Sequence, residues 1–267
     1  MPSCRLCTRD LPLVRAHVIP EAFFRPLRHG ADVPFLVTGA VGEFPKRSPI
    51  GVYDRTILCT SCEAKFSSVD DLGISVLLSR FGETFRVVRQ GPVTEAFQTT
   101  SVDQRQLLRF LVAVLWRASV STHRFYKHVT LGPLESLARA TIEQPDAPVP
   151  PVFAAVLARW VTDIQNRSVA KCLMSPFRER WGMGINAYRL YLGEIVVFIK
   201  VDQQPFPEPL RQYELLARQE LTIVARGLES SKDLQSMIHV LNQSDKKNFE
   251  DQRNGNGYSM LTRSRTL

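Results

Sequence analysis

The sequence predicts an α+β protein, in which a short metal-stapled N-terminal segment precedes a body with a helical part and a β-rich part. Three observations carry that prediction. Four of the five cysteines fall in two Cys-x-x-Cys pairs near the start of the chain, Cys4/Cys7 and Cys59/Cys62. The run "QLLRFLVAVLW" is apolar nearly all round, which fits a central buried helix rather than a half-exposed one. The segments "AYRLYLG", "IVVFIKV" and "LTIVARGL" are short and rich in β-branched or aromatic residues, with turn residues between them.

In chain order, residues 1–72 form the cysteine segment. "PLVRAHVIP" has the composition of a short strand, and Pro20 suits the first turn of a helix over "PEAFFRPL". Gly30 to Pro49 is rich in Gly and Pro and reads as loop and hairpin, with "FLV" as an apolar island within it and "GVY" as another just beyond it. "RTIL" then reads as a strand end leading into Cys59. Beyond Cys62, Phe66, Val69, Leu72 and Val76 recur at helical spacing, with Gly73 as the weak point of that helix. Residues 73–166 are expected to be mainly helical. Ser101 with Gln104 matches a capping box for the central helix, and "PLESLARATIE" and "PPVFAAVLARWVTDI" read as two more helices. Residues 167–250 are expected to be β-rich, beginning with "RSVAKCLM" and ending in a helix, "SKDLQSMIHVLNQ". The polar end, 251–267, reads as a flexible tail.

Composition narrows the function classes. At 44% apolar residues the chain of 267 is globular, and its longest apolar windows are about ten residues, short of the roughly 20 that span a bilayer. Arg5, Arg9 and Asp10 interrupt any apolar leader, so a soluble cytoplasmic protein with no membrane partner is expected. The net charge of +8 suits a polyanionic partner such as nucleic acid, and it is spread along the chain rather than gathered in a tail. No phosphate-binding glycine loop and no Gly-x-Ser-x-Gly elbow occurs.

The cysteine pairs carry the strongest chemistry. A redox role would explain one Cys-x-x-Cys but not two, whereas two such knuckles complete the tetrahedron of a structural Zn²⁺. Four thiolates around Zn²⁺ leave a net charge of −2, which Arg5, Arg9 and Lys65 are placed to offset. Cys172, outside both pairs, reads as a small buried apolar residue.

Between the knuckles lies "AHVIPEAF", and after the second comes "LCTSCEAKFSSVDD". A zinc knuckle, a histidine in His-Val-Ile-Pro about ten residues on, and a second knuckle opening a helix together resemble the HNH endonucleases of the ββα-metal (His-Me finger) class. The resemblance covers residues 4–71. It implies an N-terminal ββα-metal module and metal-dependent hydrolysis of DNA phosphodiester bonds, with His17 as general base beside Mg²⁺ or Mn²⁺. It also implies a setting in phage defence or restriction, with protein partners of a multi-component defence system. A neutral imidazole, with an ordinary pKa near 6.5, is suited to take a proton from water at neutral pH.

The sequence departs from the family pattern at three places. Ala16 stands where an acidic metal ligand usually precedes the histidine, Glu63 where Asn or His usually follows the second knuckle, and no second histidine lies on the helix. Glu63, Ser67 and Asp70 or Asp71 are spaced to share one helix face, so these carboxylates are the candidate ligands of a hard cation. The same residues also fit a solvated helix face on a decayed site. In that case the module binds nucleic acid or protein without catalysis.

For phosphate contacts the candidates are Arg25 and Arg28, although Arg25 is also spaced to pair with Glu21. "HRFYKH" at 123–128 and the arc of Arg105, Arg109, Arg117 and Arg124 are each either a nucleic-acid surface or the wet side of a helix.

Overall fold

The computed structural model describes residues 3–27, 35–37, 46–47, 51–161, 173–227, 231–235, 239 and 242. The described residues of the N-terminal segment form very little regular structure of their own. Strand β1 is Ala16–His17, β2 is Phe35–Val37, β3 is Lys46–Arg47 and β4 is Tyr53–Asp54. β1 and β4 pair antiparallel, with Ala16 opposite Asp54 and His17 opposite Tyr53. The "PEAFFRPL" helix is a 3₁₀ helix, Glu21–Leu27, which suits a stretch containing Pro26.

Cys59 then starts a long helical passage. It comprises α1 (Thr60–Glu63), a 3₁₀ turn, α2 (Ser67–Ile74), a π turn closed by the Arg80 N–H on the Ser75 carbonyl (2.9 Å), and α3 (Phe81–Thr84). No break falls at residue 72. Phe66 stacks on Trp116 and Phe23 on Phe110, each pair with centroids 6.1 Å apart, so the cysteine segment and the body share one core.

A hairpin follows, β5 (Arg86–Gln90) and β6 (Val93–Thr99), turning at Gly91, whose φ of +57° suits glycine. The central helix α4 (Gln104–Val120) forms where expected, with every residue buried except Arg105, Gln106 and Ser119. Its cap is Asp103 rather than Ser101. Asp103 Oδ1 accepts the N–H groups of Arg105 (2.9 Å) and Gln106 (3.1 Å), whereas the Ser101 hydroxyl pairs with Thr99. Helix α5 is Glu135–Glu143.

Gly73 is a requirement rather than a weak point. A Cβ there would lie 2.6 Å from the Phe110 ring, and Phe110 is fully buried on α4. Glycine lets α2 and α4 approach. Gly73→Ala is expected to cost about 1–3 kcal/mol through overpacking, read as a lower denaturant midpoint with an unchanged slope.

"VFAAVLARWV", expected to be helical, is instead strand β7 (Phe153–Val161). It lies inside a seven-stranded sheet. The further members are β9 (Phe177–Arg180), β10 (Asn186–Leu192), β11 (Ile195–Val201) and β12 (Leu221–Gly227), in the order β5-β6-β12-β7-β11-β10-β9. All neighbours are antiparallel except β12 and β7. A strand covered on both faces has a continuous apolar run, which periodicity does not distinguish from a buried helix. Along β7, Ala155 and Leu157 enter the main core, while Ala154 and Val156 pack on Phe206 across the other face.

A short strand β8 (Leu173–Met174) pairs with β2 in a separate three-stranded sheet, and α6 is Glu208–Arg211. The architecture is therefore α+β, and the large sheet takes strands from both sides of residue 166. Of the expected last helix, 232–235, 239 and 242 are helical, while Cys172 and the tail 251–267 lie outside the described residues. Among the described residues, no helix is long and apolar enough to cross a membrane.

Candidate functional site

The four paired cysteines converge although Cys7 and Cys59 are 52 positions apart in the chain. All four Sγ atoms lie within 4.8 Å of one another, and those of Cys7 and Cys59 are 3.9 Å apart. A disulfide needs about 2.05 Å, whereas four sulfurs at about 2.3 Å from a tetrahedral Zn²⁺ stand about 3.8 Å apart. The donor set and spacing fit structural zinc.

Local backbone geometry builds each knuckle. In the first, the Thr8 N–H donates to the Cys4 carbonyl (2.8 Å) and the Cys4 N–H to the Arg9 carbonyl (3.0 Å), with Thr8 held at a φ of +61°. In the second, the N–H groups of Cys62 and Glu63 converge on the Cys59 carbonyl as α1 begins. The knuckles are joined where the Arg5 N–H donates to the Ile57 carbonyl (2.7 Å) and the Cys59 N–H points at the Cys4 sulfur (3.4 Å).

Polar neighbours favour thiolate. The Arg9 backbone N–H lowers the Cys7 thiol, and the Ser61 hydroxyl brings Cys59 down to about 6. Burial pushes Cys62 the other way. Of the three basic residues expected to offset the thiolates, Arg9 does so, hydrogen-bonding Cys7 and sensing the charges of Cys59 and Cys62.

His17 sits half-buried on β1, directly before the buried Val18 and Ile19. Its strand is fixed from both sides. The His17 N–H donates to the Glu63 carboxylate, and its carbonyl accepts from Arg117 Nη1 (3.1 Å). Burial raises the Glu63 carboxyl above the usual range, with Arg117 opposing and Asp70 adding to the shift. Glu63 Oε2 is buried with no hydrogen-bond partner among the described residues.

Arg117, which the sequence places in an arc that is either a nucleic-acid surface or a wet helix side, is the residue whose role sequence reasoning missed. Its side chain is 0% exposed, lies over the Phe66 ring at 4.6 Å, and grips both oxygens of Asp70 at 2.8 and 2.6 Å. A lone cation inside "LVAVLWRASV" was the available signal, because a buried arginine needs a partner. With both oxygens on Arg117, Asp70 departs from the role of cation ligand expected of it, and Asp71 is exposed.

Among the described residues, the four cysteines are the one group of three or more His, Cys, Asp or Glu side chains close enough to share an ion. His17, Glu63, Asp70 and Asp71 do not gather into a second such group, so nothing among the described residues supports the expected Mg²⁺ or Mn²⁺ centre.

Asp54, opposite Ala16 on the inner face of the β1–β4 ribbon, was also missed. It accepts from the backbone and hydroxyl of Thr56, the Ser121 hydroxyl and the backbone and hydroxyl of Thr122, which ties β4 to the end of α4. Burial alone would raise its carboxyl, but these hydrogen bonds hold it below its ordinary value.

The remaining basic candidates divide. Arg25 is exposed and pairs with Glu21 at 3.6 Å, while Arg28 lies outside the described residues. Arg109 and Arg117 are buried, so the arc on α4 is not a wet strip; Arg109 instead caps the end of α5 through the carbonyls of Thr141, Gln144 and Ala147. Within 123–128, the His123 ring accepts the Phe125 N–H (3.2 Å), and Phe125 and Tyr126 are core residues.

Compared with known proteins, the chain matches no family model, no curated protein and no solved structure. What fold and site define together is an α+β protein with a four-cysteine centre compatible with structural zinc.

Proposed function

We propose that the N-terminal segment acts on DNA and that His17 is the general base of phosphodiester hydrolysis. The observation that carries this reading is the arrangement around His17. A two-stranded ribbon bears the histidine, the helix of the second knuckle packs behind it, and both backbone polar groups of His17 are held, one by Glu63 and one by Arg117.

In the step envisaged, the imidazole takes a proton from water as the water oxygen bonds to phosphorus. The bond from phosphorus to the leaving oxygen then breaks, and that oxygen takes a proton from solvent. Glu63 and Arg117 are positioning residues. No step is assigned to a divalent cation, whose ligand set is not met among the described residues. Phage defence or restriction, with the protein partners of such systems, is the biological setting of this reading.

The test is plasmid nicking by wild type and His17→Ala at equal zinc content, with Mg²⁺, Mn²⁺ or a weak chelator present. The variant is expected to lose about 10²–10⁴-fold in rate, the usual share of a general base. Equal nicking by the variant, or none by zinc-loaded wild type, would sink the mechanism. A second reading has its own observation, the complete engagement of Asp70 by the buried Arg117. On that reading the segment is a non-catalytic DNA- or protein-binding module, and it predicts DNA binding without nicking in any metal.

A further inference from the structure

Ala16 and Asp54 face the interior of the β1–β4 ribbon, so their neighbours on each strand face outward. That outward face carries His17 opposite Tyr53. Arg15 directly precedes β1, and Arg55 directly follows β4 in a bend across which the pairing shifts, so that Leu13 faces Cys59. Both arginines are exposed. The guanidinium carbon of Arg15 is 3.8 Å from the centroid of the Tyr53 ring, and that of Arg55 is 5.8 Å from the same centroid. The His17 ring meets the edge of that ring at 6.0 Å. One tyrosine therefore gathers two cations next to the histidine.

Like charges gathered on one ring repel, and among the described residues neither arginine forms an ion pair with a carboxylate. Stacking on an aromatic face offsets part of that repulsion and orients the guanidinium forks. An anion lying between the forks would remove the rest.

We infer that Arg15, Tyr53 and Arg55 form a phosphodiester-binding clamp that seats one backbone phosphate of duplex DNA against His17. This deepens the reading that the segment acts on DNA and rests on it. The guanidinium fork matches two phosphate oxygens, and two forks match a diester in an extended strand. The clamp is open and solvated, so a lone small anion gains little there against salt screening. A polyanion gains the release of its condensed counterions as well. Contacts of this kind position the backbone and do not read sequence.

The experiment is a salt titration of duplex-oligonucleotide binding by fluorescence anisotropy. It compares wild type, R15Q/R55Q, and R80Q/R86Q as a control of equal net charge. Arg80 and Arg86 are engaged by Glu83 and Glu220 on other elements. The clamp variant is expected to reduce the slope of log affinity on log salt by about 1 for each arginine, equally for duplexes of different sequence. The control keeps the wild-type slope. Zinc content and melting temperature verify that the variants fold.

A clamp variant whose slope equals that of the control would overturn the proposal. So would calorimetry in which inorganic phosphate alone saturates the arginines while duplex binding ignores them. Nicking is not measured, so failure of the His17 mechanism and failure of the clamp remain separate results.

Discussion

Stripping zinc from the protein is expected to unfold the whole segment from Cys4 to Cys62 and to loosen the core behind it. The reason is how little regular structure the described residues of that segment form. β1 and β4 are two residues each, and the first helix is a 3₁₀ helix interrupted by proline. Structural zinc in comparable thiolate sites contributes about 10–16 kcal/mol at neutral pH, more than such elements supply. Phe23 and Phe66 pack on Phe110 and Trp116 of α4, so release of the knuckles uncovers the central helix as well.

Cys59→Ser is the sharper form of the same experiment. Zinc should fall from one ion per chain to none, and protease should cut between the knuckles at once. Cys172→Ser should retain zinc. A chelated or Cys59→Ser protein with its original melting temperature and cleavage pattern would show that the metal is not structural.

The second large effect is expected at Arg117. Its side chain is wholly buried and makes a two-pronged ion pair with Asp70, whose own side chain is 17% exposed. Arg117→Met removes the cation, leaving an inward-facing carboxylate and the His17 carbonyl without their donor. Breaking one half of such a pair costs about 3–5 kcal/mol, a large part of the 5–15 kcal/mol that holds a typical domain together. Adding Asp70→Leu to that variant should restore much of the loss, since two apolar side chains replace a pair that was expensive to desolvate. Denaturant unfolding reads both. An Arg117→Met midpoint equal to wild type would refute the assignment, and so would a double variant no more stable than the single one.

How much of this was legible depended on the range of the interaction. The cysteine cluster was legible because each knuckle is a local pattern and a tetrahedral metal needs two of them. Helix α4 and strands β10, β11 and β12 were legible because burial writes a local apolar pattern. Strand β7 was misread for the same reason, since a strand covered on both faces and a buried helix produce the same apolar run. The polar edge strand β5 lacked an apolar pattern, and only Gly91-Pro92 hinted at its turn. Helical spacing placed Asp70 on a plausible face but could not show that Arg117, 47 residues away, takes both its oxygens. Asp103 displaced Ser101 as the cap because the helix began later than the capping pattern implied.

The position of β12 has a consequence for the order in which the protein can be made. Strands β5 and β6 lie on one side of it and β7, β11, β10 and β9 on the other, so β12 is the seam of the sheet. It is also the last strand among the described residues. On the ribosome, the zinc knuckles are complete once Cys62 has emerged, early in synthesis. The sheet remains two separate leaves until residues 221–227 leave the exit tunnel, with β6 and β7 each presenting an unpaired edge in the meantime. The four-cysteine site at the head of the nascent chain is thus ready for a metal long before the sheet can close.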